Sequence, residues 1–258
     1  MDGTLTPARM PIDDKMIDAI VELSNCADIG IVSGSPIEYI AQQCQKLFLD
    51  PRISPDKIKI MPCNGTKEYE FLRHVEPEMV LKSEVSMRET IGQSVYKEIV
   101  VACSLAHKKY MTGNNPIEFP LSGNFISYRG SLLNFCPPGR DATDEDRKKF
   151  AIVDKKYNIR KSLLKNIRDY LKEKNIKRIS CALGGNTSID IYPTGWDKTY
   201  CLRHLKNYSY ISFVGDRCDK NGNDKTLYDA LHPNSYKTKG PESTLKIIDE
   251  LIVADKMP

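Results

Sequence analysis

The sequence predicts an α/β protein, with a Rossmann-like parallel-sheet core interrupted by an inserted α+β antiparallel module. Two observations carry this. Short apolar strands alternate with amphipathic helices towards both ends of the chain, which is the pattern of a parallel sheet. The middle of the chain departs from it, with strands joined as hairpins and long helices between them. A length of 258 residues allows two modest domains, each with its own core. The core is expected over 1–74 and 192–258, and the insert over 75–191.

Ile12, Met16, Ile17, Ile20 and Leu23 recur at helical spacing, so 13–25 reads as an amphipathic helix. Residues 28–32 form a short apolar strand that runs into Ser33-Gly34-Ser35. Pro36 then opens a helix to about 47, since proline suits a helix start. Residues 57–61 read as a second strand, ended by the turn signal Cys63-Asn64-Gly65. In the middle, a helical pattern over about 83–110 precedes strands at 124–129 and 132–136, joined by the two-residue connection Gly130-Ser131. Helices at about 143–153 and 159–173 and strands at 178–183 and 188–192 complete the insert. From Trp196 the alternation resumes: a helix, a strand at 211–214, the loop Gly215-Asp216, a helix, and a last helix near 243–253.

Composition excludes several classes. Hydrophobic and charged contents of 40% and 28% are globular values, and a net charge of +4 fits an evenly mixed surface. No basic run studded with aromatics argues for nucleic acid, and no apolar stretch approaches the ~18–20 residues that cross a bilayer. Eight cysteines are scattered without a C-x-x-C pair, and the first residues carry no apolar leader, so a cytoplasmic, reducing setting is expected.

Four segments fall at or near strand ends in the core: Asp2-Gly3-Thr4, Ser33-Gly34-Ser35, Lys198, and Gly215-Asp216 followed by Asn223-Asp224. Each alone reads as a plain turn. Together they supply all that phosphoryl transfer requires except the attacking oxygen, namely hydroxyl and N–H donors for phosphate oxygens, a fixed cation, and carboxylates for a hard divalent metal. In the insert, Arg129, Arg140 and Arg147 lie on a hairpin and its exit, and guanidinium groups bind phosphate bidentately. Ser188 and Asp190 alternate along one strand and so share a face.

In these motifs the chain resembles the haloacid dehalogenase-like (HAD) phosphotransferases. The segments 2–9 (DGTLTPAR), 125–140 (FISYRGSLLNFCPPGR), 188–204 (SIDIYPTGWDKTYCLRH) and 213–224 (FVGDRCDKNGND) resemble the eukaryotic-type phosphomannomutase family in particular. The resemblance implies interconversion of mannose 6-phosphate and mannose 1-phosphate for GDP-mannose supply, with Mg²⁺ and a hexose 1,6-bisphosphate activator. It implies that Asp2 is a general acid/base whose carbonyl also meets Mg²⁺, that Asp216, Asn223 and Asp224 form the metal loop, and that Lys198 and Ser33 to Ser35 hold the reacting phosphate. Arg129, Arg140 and Arg147 would hold the distal phosphate, Asn134, Ser188 and Asp190 would orient the sugar, and Arg9 would stand where core and insert meet. A hexose phosphate substrate and a homodimer through the insert are implied with them.

The family motif is D-x-D-G-T, and its first aspartate is the nucleophile. Met1 occupies the x, so the attacking carboxylate and its strand fall ahead of the sequence. The expectation is a trimmed or misassigned start. A non-catalytic sugar-phosphate binder and a decayed copy are the other readings, and a sugar-phosphate phosphatase is the enzymatic rival.

Overall fold

The computed structural model describes residues 1–73, 77–112, 120–220 and 222–255. Helix α1 (Asp14–Ser24) begins where Asp13 accepts a hydrogen bond from the Met16 amide at 2.8 Å, a side-chain N-cap. It leads to β1 (Ile29–Val32), α2 (Ile37–Leu49), β2 (Ile58–Met61), β3 (Lys67–Arg73) and β4 (Pro77–Glu84). Next come α3 (Met87–Thr112), β5 (Ile126–Tyr128) and β6 (Leu133–Phe135). Thr143 caps α4 (Asp144–Tyr157), and left-handed Asn158 turns the chain directly into α5 (Ile159–Glu173). Strands β7 (Ile179–Gly184) and β8 (Ser188–Pro193) follow. The chain ends with a 3₁₀ helix over Lys198–His204, then β9 (Phe213–Gly215), α6 (Lys225–Ala230), β10 (Ser235–Lys237) and α7 (Pro241–Asp255).

The chain divides into two compact units, the first formed by Met1–Glu84, Trp196–Lys220 and 224–255, the second by Val85–Gly195 together with Gly222 and Asn223. In the first unit β1 and β2 pair in parallel, and β3 and β4 extend the same sheet antiparallel. A separate parallel pair, β9 and β10, stands apart from that sheet. The parallel core is thus two parallel pairs rather than one continuous sheet. Met16, Ile20, Ile31, Ile40, Leu47 and Ile60 are buried among α1, α2 and the sheet, with Ile248 of α7 packed in the same cluster.

The second unit is an antiparallel sheet of order β5-β6-β8-β7, against which α3 and α5 pack. Phe135, Ile99, Leu163, Ile167 and Ile191 are fully buried there.

Three expectations are corrected. The sequence reading starts the insert at about 75, but β4 pairs along its whole length with β3 and belongs to the first unit. The helix expected from about 83 starts at Met87, because the chain is still in β4 at Glu84. The segment after Trp196 is a 3₁₀ turn, capped where the Asp197 carboxylate accepts from the Thr199 amide.

Candidate active site

In the first unit, residues 1–6 close into a tight loop. The Met1 carbonyl accepts from the amides of Thr4, Leu5 and Thr6 at 3.0, 2.8 and 3.2 Å, and the Gly3 amide donates to the Thr6 carbonyl at 2.7 Å. Gly3 has φ +73°, and a Cβ there would stand 2.6 Å from the Asp216 carboxylate, so only glycine lets the loop approach. The Thr4 hydroxyl donates to Asp216 Oδ1 at 3.4 Å. Asp2 accepts from the Arg9 amide at 3.0 Å.

A relay of hydrogen bonds ties the remaining core motifs together. Ser33 is buried, and its Oγ accepts from the Ser35 amide at 3.1 Å. The carbonyls of Ser33 and Ser35 accept from the amides of Asn64 and Cys63 at 2.7 and 3.0 Å. Asn64 donates through its side chain to the Trp196 carbonyl at 3.3 Å, and His204 Nε2 donates to the Gly65 carbonyl at 2.7 Å. This fixes the 3₁₀ turn that carries Lys198.

Lys198 is buried and forms an ion pair with buried Asp224, whose other oxygen accepts from the Arg217 amide at 2.9 Å. Burial opposes both charges, yet each stabilises the other: the Lys198 ammonium is raised above its ordinary value and the Asp224 carboxyl is held down to about 2. Burial and then the neighbouring charge of Asp224 push the half-buried Asp216 carboxyl upward. Such a carboxylate attracts a compensating cation. Among the described residues no group of three or more His, Cys, Asp or Glu side chains is gathered to hold a metal. Magnesium needs fewer protein ligands, since one or two carboxylates with waters and phosphate oxygens suffice. Asp216 fits that role; Asp224, with both oxygens engaged, fits as its neighbour.

In the second unit, Asn134 of β6 and Asp190 of β8 pair in register, and the Asn134 amide donates to Asp190 Oδ1 at 2.6 Å. Both are buried, as is Ser188. Asn134 Oδ1 is buried without a hydrogen-bond partner. Arg129 and Arg140 are half-buried, with their amides bonded to the carbonyls of Leu132 and Asn124 at 2.9 and 3.1 Å. Arg147 is turned onto the protein: Nε reaches the Ala142 carbonyl at 3.1 Å, Nη1 the Thr187 hydroxyl at 2.9 Å, and Nη2 the Gly139 and Arg140 carbonyls at 3.3 and 2.6 Å. Most of a guanidinium's five N–H groups are thereby used to hold the loop that carries Arg140.

Sequence reasoning missed Arg160 and His204. Arg160 forms a buried ion pair with Asp154 at 2.7 Å and donates to the carbonyls of Gly184, Gly185 and Ser188, pinning the turn beside Ser188. Its partner is six residues away across a helix–helix junction, a spacing that fits no helical pair. His204 is half-buried between Gly65 and Glu68 and holds the turn that carries Lys198. Asn223 is half-buried just ahead of Asp224, and Arg9 is exposed.

Residues 16–254 match the sequence profile of eukaryotic phosphomannomutase. The chain belongs to that family. A phosphomannomutase of Dendrobium officinale is 30% identical over 245 residues, covering 95% of this chain and 88% of the relative. A probable phosphomannomutase of Caenorhabditis elegans is 30% identical over 98% of this chain and 93% of its own length, and one from Encephalitozoon cuniculi is equally similar, at 30% over 98% and 91%. The fold is also that of the IMP-nucleotidase of Plasmodium falciparum, at a TM-score of 0.68 and 15% identity over 98% of this chain and 66% of that one. The phosphomannomutase relatives therefore match both units, since coverage of this order leaves no room to omit either.

Proposed function

We propose that this phosphomannomutase-family chain interconverts mannose 6-phosphate and mannose 1-phosphate by phosphoryl transfer. The observation that carries the proposal is the buried Lys198–Asp224 pair set in the same unit as the Thr4–Asp216 contact. In this reading Lys198, Ser33, Gly34 and Ser35 hold the reacting phosphoryl oxygens, and Asp2 moves the proton of the sugar hydroxyl. Mg²⁺ at Asp216, with Asn223 and Asp224 beside it, would neutralise phosphate charge when bound. The aspartyl-phosphate forms on the aspartate that the family motif puts two residues before Asp2.

The second unit recognises the rest of the substrate. Arg129 and Arg140 take the non-reacting phosphate, Arg147 holds their loop, and Asn134, Ser188 and Asp190 meet sugar hydroxyls. The orphaned Asn134 Oδ1 supports this, because a buried acceptor gains most from a ligand donor. A hexose 1,6-bisphosphate primes the cycle, mannose 1-phosphate goes on to GDP-mannose, and two copies associate through the second unit in the cytoplasm. The eight cysteines, seven of them buried and none bridged to another, suit that reducing setting. No described helix is long and apolar enough to cross a membrane.

Phosphorus NMR with Mg²⁺, mannose 1-phosphate and a trace of glucose 1,6-bisphosphate tests the reading. The probe is the chain extended so that an aspartate stands two residues before Asp2. Mannose 6-phosphate is the expected product. Release of inorganic phosphate alone would favour a sugar-phosphate phosphatase, and an unchanged spectrum would overturn both.

A further inference from the structure

The second unit holds an open cleft of about 430 Å³ at the junction of α4 and α5, bordered by the end of β7. Lys155, Arg160, Lys161 and Asp154 line it, with Ala151 and Leu183 as an apolar wall. Three cations against one carboxylate leave the cleft basic. It lies away from Asn134 and Asp190. Leu183 pairs in register with Ile189, which alternates with Ser188 and Asp190 along β8, so the two groups belong to opposite faces of the sheet.

Lysines at a surface are ordinarily just solvated, and what distinguishes this cleft is Arg160. It is only 8% exposed, and a buried guanidinium needs acceptors for its N–H groups. Nε donates to Asp154 Oδ2 at 2.7 Å, and Nη1 to the carbonyls of Gly184, Gly185 and Ser188 at 3.3, 3.0 and 3.3 Å. Nη2 donates to no group among the described residues. The nearby carboxylate is engaged on both oxygens, since Asp154 Oδ1 accepts from the Arg160 amide at 2.7 Å. Neither Lys155 nor Lys161 is paired with a carboxylate among the described residues. Arg160 and Lys161 also stand in the first turn of α5, which carries no acidic residue, so the partial positive charge of that helix end adds to theirs. A buried donor without an acceptor, beside two ammonium groups without counter-charges, is a donor set for an oxyanion.

We propose that this cleft binds a phosphate monoester, with its oxygens on Arg160 Nη2 and the Lys155 and Lys161 ammonium groups and its organic part against Ala151 and Leu183. A monoester carries about −1.5 to −2 charge at neutral pH, which balances the excess of cations over carboxylate in the lining. The cleft exceeds what a bare phosphate ion fills and falls in the range of about 300–1,000 Å³ that small-molecule sites occupy. This site is independent of the reaction proposed for the first unit.

The test is residue-resolved proton–nitrogen NMR on the 258-residue chain at about pH 7.5, where the monoester is mostly a dianion. Phenyl phosphate is the probe, compared with inorganic phosphate and with potassium chloride at matched ionic strength. The Arg160 Nε–H and the Lys161 amide should shift saturably with phenyl phosphate, at lower concentration than with inorganic phosphate, and not with chloride. The Asn134 side-chain amide reports separately on binding at the opposite face. Lys155 and Lys161 are exposed, so replacing both by alanine should leave the fold intact while weakening the binding about tenfold or more. Lys156→Ala, at the same helix end but outside the cleft, should leave it unchanged. The proposal is overturned if the two signals do not saturate, if chloride shifts them equally, or if the paired variant binds as tightly as the parent. It is also overturned if Lys156→Ala weakens binding as much, since the effect would then be one of general charge. Inorganic phosphate binding as tightly as phenyl phosphate overturns it too, because the occupant would be the free ion.

Discussion

Asn134 and Asp190 face each other in register across β6 and β8, joined by a 2.6 Å hydrogen bond from amide to carboxylate, while the Asn134 carbonyl oxygen is buried with no partner. The pair is half satisfied: one group is held rigidly and an acceptor is left over. An acceptor fixed in that way discriminates for a ligand donor, because its orientation costs nothing further when the ligand arrives.

Removing the carboxylate would strand the Asn134 amide. Asp190→Ala is expected to lower stability by about 1–3 kcal/mol, the cost of a buried donor left without its acceptor. Asp190→Asn, which keeps an acceptor at that position, should recover most of the loss. Urea denaturation of the three proteins checks both statements.

The Lys198–Asp224 pair predicts a strong coupling. Lys198→Met leaves a buried carboxylate without its cation and is expected to cost about 3–5 kcal/mol. Adding Asp224→Asn removes the orphaned charge while retaining an acceptor for the Arg217 amide, so the double variant should be more stable than Lys198→Met alone. A double-mutant cycle in denaturant would show non-additivity, and additive losses would mean that the two side chains act independently.

Gly65 has φ +84°, and a Cβ there would stand 2.6 Å from the Cys201 Cα in the turn that carries Lys198. Gly195 has nearly the same backbone, at φ +86°, with no atom within 4 Å of a Cβ. Gly195→Ala should therefore cost only the left-handed strain, about 1–2 kcal/mol. Gly65→Ala should cost clearly more and should weaken phosphate binding, read by thermal unfolding and by titration with mannose 6-phosphate. Equal losses at the two positions would mean that the turn can retreat from the collision.

His107 sits on α3 between the Phe125 and Phe135 rings and donates through Nε2 to the Pro137 carbonyl at 3.0 Å. Burial lowers its imidazole below the ordinary value, and the carbonyl raises it by less. The unfolded chain therefore binds the proton more readily than the folded one. The contribution of His107 to stability is complete above the unfolded value of about 6.5 and is lost as pH falls below it. Denaturation midpoints at neutral and mildly acidic pH should show this loss, and His107→Gln should reduce it.

Much of this fold is legible one segment at a time. The spacing of Met16, Ile17, Ile20 and Leu23 predicts α1, which buries the first three together with Ser24 and leaves Leu23 half-buried. Gly130-Ser131 predicts the turn between β5 and β6, whose pairing runs from Ile126 opposite Phe135 to Tyr128 opposite Leu133. By contrast β3 carries Lys67, Glu68 and Glu70, with no apolar run to mark it, and is a strand because β2 and β4 supply its ladder partners. β10 is three residues long and partly polar, so it too is defined by its neighbour. At the other extreme, Ile211 opens a run with Phe213 and Val214 that reads as strand, but β9 begins only at Phe213, where β10 offers a register.

The candidate site divides in the same way. Residue type and order along the chain determined which groups are available for phosphate and metal chemistry, because carboxylates, hydroxyls, a lysine and arginines have that chemistry wherever they stand. The tertiary structure alone decided how each is engaged. It joined Lys198 to Asp224 from 26 residues apart, turned Arg147 onto the carbonyls of its own loop, and set Asn134 against Asp190 from 56 residues apart. The physical reason is that hydrogen bonds and ion pairs depend on distance and direction in space, and for residues this far apart in sequence only the packed sheets and helices determine either.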